Sequence, residues 1–360
     1  MIKYFSVFLI SLTTILISPV LAMDDREELA HSVPLTWRFL EEGEMVEIIA
    51  PAAAPMSDAQ AVVAREFVGV RGFKAYIAEG AFNKEEAPYG YYANTHKARA
   101  ELFIRALQGE ALVLWAIRGG FGCQEIVDSL EETSFERPSL PPKALIGFSD
   151  VTALHLLFAT WRWPSLHGPV VGLGKELFPV TKSGVNKEAS LTVVTEILKG
   201  NIRELSHTFE VIHPGEGGSE LIEGSVLGGN LSIVESHNGT RTALCGAGKF
   251  IFLEDTAEDP KRLNRRLLAL RRAGVFKGAK AIVFGHMPLT GHEESIEMTK
   301  DFVRGFVREF LLPRLNIPVI YSPRFGHGAH NDIMPFGTKA WLTVDGPTAM
   351  LRVTVNESAY

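Results

Sequence analysis

Two glycine-flanked turns in this chain set out side chains and backbone groups that could do chemistry. Gly147-Phe148-Ser149-Asp150 ends the apolar run Ala144–Phe148 and opens the helical run Val151–Trp161. A serine on a sharp strand-to-helix turn stands clear of the sheet edge. The helix N-terminus behind it favours negative charge developing on a substrate oxygen. The Gly-x-Ser-x-Gly pattern is incomplete, because Val151 replaces its last glycine. Taken alone, the motif is better read as a plain helix cap, a common use of Ser and Asp. The second turn, Arg118-Gly119-Gly120-Phe121-Gly122, leaves backbone N–H groups uncovered. That suits a second oxyanion donor or close approach of a substrate. It is not a phosphate loop, because no Gly-Lys-Ser/Thr follows.

A serine nucleophile needs a base, and the base needs an orienting acid. Among 11 histidines, His327 lies between glycines in Phe325-Gly326-His327-Gly328-Ala329-His330-Asn331. His330 is close by, and residue chemistry does not separate the two. Glu254 ends the apolar run Phe250–Leu253, where a carboxylate is held rigidly and partly desolvated. There is no His-Glu-x-x-His, and no spacing demands a metal. Cys123 and Cys245 are the only cysteines, too few for a disulfide framework or a structural zinc site. They either pair in an oxidising compartment or remain buried thiols.

The elements that position these groups alternate. Strands are predicted at 46–50, 73–78, 112–117 and 144–148, and helices at 58–68, 98–108, 124–130 and 151–161. Strands alternating with helices predict an α/β fold, a parallel sheet covered on both faces, with its site at the carboxyl ends of the strands. Both glycine turns fall there. A Pro-rich connection spans 138–142 and a helix 187–198, and Pro214-Gly215-Glu216-Gly217-Gly218 reads as an inter-domain connection. Beyond it come strands at 249–253, 280–284 and 317–321, a helix at 260–273 and a last pair of strands around Asp345-Gly346-Pro347. The mixture is less regular and predicts a smaller α+β domain. Helix 260–273 sets Arg262, Arg265, Arg266, Arg271 and Arg272 opposite Leu263, Leu267 and Leu270, the pattern of a solvated amphipathic face.

Three parts are thus expected: a leader over 1–22, an N-terminal domain over 23–200 and a C-terminal domain over 215–360. In the leader, Lys3 precedes the uncharged stretch Tyr4–Ile17, then Ser18-Pro19 and the cleavage pattern Val20-Leu21-Ala22. This predicts a secretory signal peptide cut near Ala22, and a periplasmic or secreted protein without a membrane anchor after cleavage. A net charge of −6 with no long basic run makes nucleic acid an unsuitable partner.

Taken in order, the motifs resemble one family, the LD-carboxypeptidases or muramoyltetrapeptide carboxypeptidases. The matching segments are Arg118–Gly122, Leu145–Asp150, His167-Gly168-Pro169, Gly228-Gly229-Asn230-Leu231, Phe252–Asp255 and Gly326-His327-Gly328. The resemblance runs from about residue 46 to 345. It implies Ser149 as nucleophile, His327 as general base and Glu254 as the orienting acid. It places the oxyanion hole at the N–H of Asp150 with that of Gly119 or Gly120. Arg118 and Asn230 become substrate-binding candidates, Arg118 for the carboxylate of a terminal D-alanine. The implied fold is an N-terminal domain like glutamine amidotransferases and flavodoxins, with a smaller C-terminal domain supplying Glu and His. The implied reaction cuts an L,D-peptide bond in peptidoglycan stem peptides or muropeptides, without metal or cofactor, in a homodimer. Where the family often has a serine in the first loop, this chain has Pro51-Ala52-Ala53-Ala54-Pro55. A microcin-C-immunity-type peptidase and a periplasmic binding protein share parts of this outline.

Overall fold

The computed structural model describes residues 36–83, 85–135, 141–172, 187–216, 221–256, 258–292, 295–311 and 315–359. The predicted leader lies outside them, as do parts of the connections at 138–142 and 214–218. The first half of the chain builds a six-stranded sheet. Its parallel strands are β1 (Met45–Ile49), β2 (Lys74–Tyr76), β3 (Val113–Ala116), β4 (Ala144–Gly147) and β5 (Ser165–His167). Strand β3 shows why the sequence reads as an unbroken apolar run. Val113 and Trp115 point to one face, packing with Val194 and Ile197 of α5 (Lys187–Leu198) and with Val68 of α1 (Asp58–Gly69). Leu114 and Ala116 point to the other, against Phe103 of α2 (His96–Gln108), Ile126 of α3 (Cys123–Glu132) and Leu154 of α4 (Thr152–Thr160). Helices therefore cover both faces, as the alternation requires.

The second half forms a closed seven-stranded barrel. Its strands are β6 (Glu204–His213), β7 (Ile222–Asn230), β8 (Lys249–Glu254), β9 (Ala281–His286), β10 (Val319–Gly326), β12 (Thr338–Asp345) and β13 (Thr348–Ser358). Their order around the barrel is β10-β6-β13-β12-β7-β8-β9. The run β7-β8-β9-β10 is parallel and the rest antiparallel. Helix α6 (Leu231–Ser236) follows β7, and α7 (Pro260–Arg272) buries Leu263, Leu267 and Leu270. On the polar side of α7, Arg266 pairs with Glu235 at 3.0 Å and with Glu258 at 3.3 Å. Its basic face is thereby partly satisfied within the chain. Helix α8 (Ile296–Phe306) adds Val303 and Phe306 to the same core.

The short strand β11 (Met334–Phe336) leaves the barrel region and pairs antiparallel with β5, at the edge of the first sheet. Gly337 follows at once, its N–H donating to Val226 O at 2.9 Å, and β12 re-enters the barrel. A second link joins β7 to α4, where Asn230 N–H donates to Thr152 Oγ1 at 2.9 Å. Gly229, at φ +132°, makes this approach: a Cβ there would collide with the Thr152 side chain. By their contacts, Pro34–Tyr360 hold together as one compact unit.

Candidate active site

Strand β4 ends at Gly147, and the chain turns so sharply that Ser149 adopts φ +62° before α4 begins. A non-glycine residue in this left-handed region costs on the order of 1–3 kcal/mol and persists only where its surroundings enforce it. The Ser149 side chain caps nothing, so the helix-cap reading of the serine does not hold. Beside it runs the 118–122 turn. A Cβ on Gly119 would lie 3.1 Å from Ser149 Cβ and 3.4 Å from its Oγ, so a side chain there would crowd the serine. Among the described residues, the N–H groups of Gly119 and Gly120 donate no hydrogen bond. They are available to an oxygen bound at Ser149, as is the N–H of Asp150 in the first turn of a helix.

His327 follows the end of β10 and reaches Ser149. Its Nε2 lies 3.0 Å from Ser149 Oγ, and its Nδ1 lies 2.7 Å from Glu254 Oε2. Those contacts fix the tautomer: Nδ1–H donates to the carboxylate, and Nε2 accepts from the serine hydroxyl. Glu254, the last residue of β8, is fully buried. Burial alone would raise its pKa. The facing charge of His327, with the contacts from His167 and His327, outweighs it and brings the carboxyl down to about 2. Glycines wall the carboxylate in. At Gly326 (φ +93°) a Cβ would sit 2.5 Å from Glu254 Oε2, and at Gly285 one would sit 2.9 Å from Glu254 Cβ.

Asp150 works through its side chain as well. Its buried carboxylate accepts from Cys123 N–H at 2.8 Å, capping α3 and tying the nucleophile turn to the 118–122 turn. Burial raises its pKa, opposed by the hydrogen bond from Cys123. Cys123 is buried, and burial raises its thiol pKa well above the ordinary value, so it is a poor nucleophile. Both cysteines are free thiols. Arg118 donates to Ala54 O at 3.3 Å and lines a cleft of about 540 Å³ with Ala53, Pro55, Met56, Tyr91 and Phe121. Asn230 commits both ends of its amide inside the protein. Its Nδ2 donates to Asp255 Oδ1 at 3.0 Å, and its Oδ1 accepts from Ile233 N–H at 3.3 Å to cap α6.

Ser149, Glu254 and His327 thus meet in one hydrogen-bonded line, with Gly119 alongside and Arg118 in the adjoining cleft. His330 takes no part in that line. Two buried residues went unassigned in the sequence reading. Arg99, on the inner face of α2, donates to Pro51 O at 2.7 Å and Gly122 O at 2.6 Å, and pairs with Glu125. It fastens the first loop to the 118–122 turn. Its one sequence signal is an arginine on the helix face that also carries Phe103 and Ala106. The other is His167, buried at the end of β5 with Nε2 3.6 Å from Glu254 Oε1.

The model of the LD-carboxypeptidase N-terminal domain matches residues 46–168, and that of the C-terminal domain matches residues 223–342. A relative from Rickettsia prowazekii (strain Madrid E), named as a carboxypeptidase, is 30% identical over 84% of this chain and 89% of its own length. This chain belongs to the LD-carboxypeptidase family. A murein tetrapeptide carboxypeptidase of Pseudomonas aeruginosa is 29% identical over 85% of this chain and 95% of its own. Among solved structures, a muramoyltetrapeptide carboxypeptidase from Oxalobacter formigenes superposes with TM-score 0.64 at 21% identity, covering 86% of this chain and 98% of that one. A microcin C7 self-immunity protein gives TM-score 0.67 at 18% identity, covering 91% of this chain and all of that one. At those identities the two structures share the fold with this LD-carboxypeptidase family member, and nothing finer is carried over.

Proposed function

We propose that this protein is a serine LD-carboxypeptidase that releases the terminal D-alanine from peptidoglycan tetrapeptide stems through an acyl-enzyme on Ser149. The observation that carries the reading is the line Ser149 Oγ–His327 Nε2 at 3.0 Å and His327 Nδ1–Glu254 Oε2 at 2.7 Å. A ligand-binding helix cap needs no such line.

In this mechanism Ser149 Oγ attacks the carbonyl of the L-configured third stem residue while His327 Nε2 takes its proton. Glu254 remains ionised and holds the imidazolium. The N–H groups of Asp150 and of Gly119 or Gly120 receive the oxyanion. His327 returns the proton to the departing D-alanine nitrogen, and water then hydrolyses the ester with His327 as base. Arg118, at the cleft, is suited to the free carboxylate of that D-alanine. The leader pattern in residues 1–22 supports an exported enzyme, acting on wall stems or on fragments released from them.

The test offers the purified chain a disaccharide tetrapeptide ending in D-alanine, its L-alanine epimer and an aminoacyl sulfamoyl adenosine, with products followed by mass spectrometry. Loss of one alanine from the D-ended stem alone is the expected result. Turnover of only the nucleotide conjugate moves the chain to an immunity-type activity, and no turnover of any of the three contradicts the proposal.

A further inference from the structure

Glu254 presents two oxygens, and the line to Ser149 uses one. Oε2 accepts from His327, while Oε1 is buried without a hydrogen-bond partner among the described residues. Facing Oε1, from β5 in the first sheet, is His167. Its side chain is fully buried, and neither ring nitrogen has a hydrogen-bond partner among the described residues. Its Nε2 stands 3.6 Å from Glu254 Oε1, too far for a hydrogen bond and close enough for strong electrostatic contact in a dry site. The ring is boxed by Phe252 at 5.0 Å, Phe336 at 5.4 Å and Phe148 at 6.2 Å between centroids. A histidine held in an apolar box, with both nitrogens unused and one aimed at a catalytic carboxylate, is costly unless it acts on that carboxylate.

We propose that His167 is a positioning residue of this active site: from β5 it holds the second oxygen of Glu254, keeping the carboxylate turned so that Oε2 stays on His327. The proposal rests on the reading of Ser149, His327 and Glu254 as the catalytic triad. It gives β5 a task that no catalytic residue of the triad performs, since Glu254 and His327 come from the barrel and Ser149 from β4.

The pH behaviour follows from how Glu254 is held against His327. His327 faces the carboxylate from the end of β10 and His167 from β5. His155 of α4 lies 6.2 Å beyond His167, and Asp255 adjoins Glu254 along the chain. His286 of β9 lies on the far side of the His327 loop, where a Cβ on Gly328 would come 3.2 Å from its Cγ. With an N–H of His167 turned to Oε1, the carboxylate is held with Oε2 on His327. Removing that N–H frees the carboxylate to turn and weakens its hold on the imidazolium. His327 then gives up its proton at lower pH, and the acid limb of the kcat/KM profile moves down.

The experiment compares His167→Phe, which fits the aromatic box without a donor, and His167→Gln, which keeps a donor, using the full chain and a tetrapeptide stem. Ser149→Ala is run beside them. The expected result for His167→Phe is a fall in kcat of roughly 10- to 100-fold with KM little changed, and an acid limb displaced downward. His167→Gln is expected to restore most of kcat and the original limb. If His167→Phe does not fold, His167→Leu takes its place in the same comparison. A donor-free variant with the wild-type profile overturns the proposal, as does an equal loss in the Gln and donor-free variants with the limb unmoved. Turnover by Ser149→Ala is a different failure, that of the triad reading itself.

Discussion

At position 149 the chain accepts backbone strain to present a hydroxyl, and that strain separates two substitutions that both remove the nucleophile. Ser149→Ala keeps a Cβ at φ +62°, whereas Ser149→Gly relieves it. Both are expected to lose activity, and Ser149→Gly is expected to be more stable than Ser149→Ala by about 1 kcal/mol in urea unfolding. Equal stability would mean that the turn is not strained. The place of Ser149, where an apolar strand meets a helix, was legible in the sequence, but that turn alone reads as a helix cap, and its role came from the ordered motifs that resemble the family. Residue chemistry left His327 and His330 equal and the family resemblance chose His327, which the structure places between Ser149 and Glu254. No role for His167 was legible: His167-Gly168-Pro169 stood among the segments that resemble the family, but nothing local ties its imidazole to a carboxylate. Only the fold brings it against Glu254, 87 residues away (254 − 167).

At the scale of elements, the site depends on loops locked to one another. Arg99 does much of this from the buried face of α2, joining Pro51 O, Gly122 O and Glu125. Arg99→Met removes a planar five-donor fork and leaves two buried carbonyls without it. The expected cost is on the order of 3 kcal/mol in chemical denaturation, with a larger fall in kcat/KM than stability alone explains, because the Gly119 turn loosens. A variant with wild-type kcat/KM under native conditions would show that the turn holds its shape without Arg99. The parallel strands of the first sheet were legible as apolar runs, buried on both faces. Strands β6 and β7 were not. Most of β6 is only half-buried and its alternation is weak, while β7 carries Gly224, Gly228 and Gly229, which argue against a strand when read locally. Gly229 is there for the approach of Thr152, a tertiary reason that local sequence does not display.

At the scale of the whole molecule, a doubly covered parallel sheet and a closed barrel share one catalytic line, with β11 stitching the barrel's chain to the edge of the sheet. The α+β character of the second half was legible, but its closure into a barrel was not, because closure depends on β6 pairing with both β10 and β13. The same burial makes the molecule acid-sensitive. His155 is fully buried, its Nε2–H donating to Gly147 O at 2.9 Å and its Nδ1 accepting from Ser165 Oγ at 2.8 Å. Burial, aided by the charge of His167, lowers its pKa from 6.5 to about 3, and burial lowers that of His237 to about 4. The unfolded chain therefore takes up protons on these imidazoles below pH 6.5 while the native state does not, and stability falls as pH drops toward 4. Asp150 and Asp255, with raised pKa values, pull the other way in acid, because the native state takes their protons first. Urea midpoints are expected to fall between pH 7 and pH 5, and His155→Gln is expected to flatten that fall, even if less stable at pH 7. A slope unchanged in the variant would place the sensitivity elsewhere. The central claim, that Ser149 is the nucleophile of an LD-carboxypeptidase, is tested most directly by the rate of D-alanine release from a tetrapeptide stem by folded Ser149→Ala. The account expects that rate to fall by about 10,000-fold or more, and a variant that keeps its rate within about tenfold of wild type would contradict it.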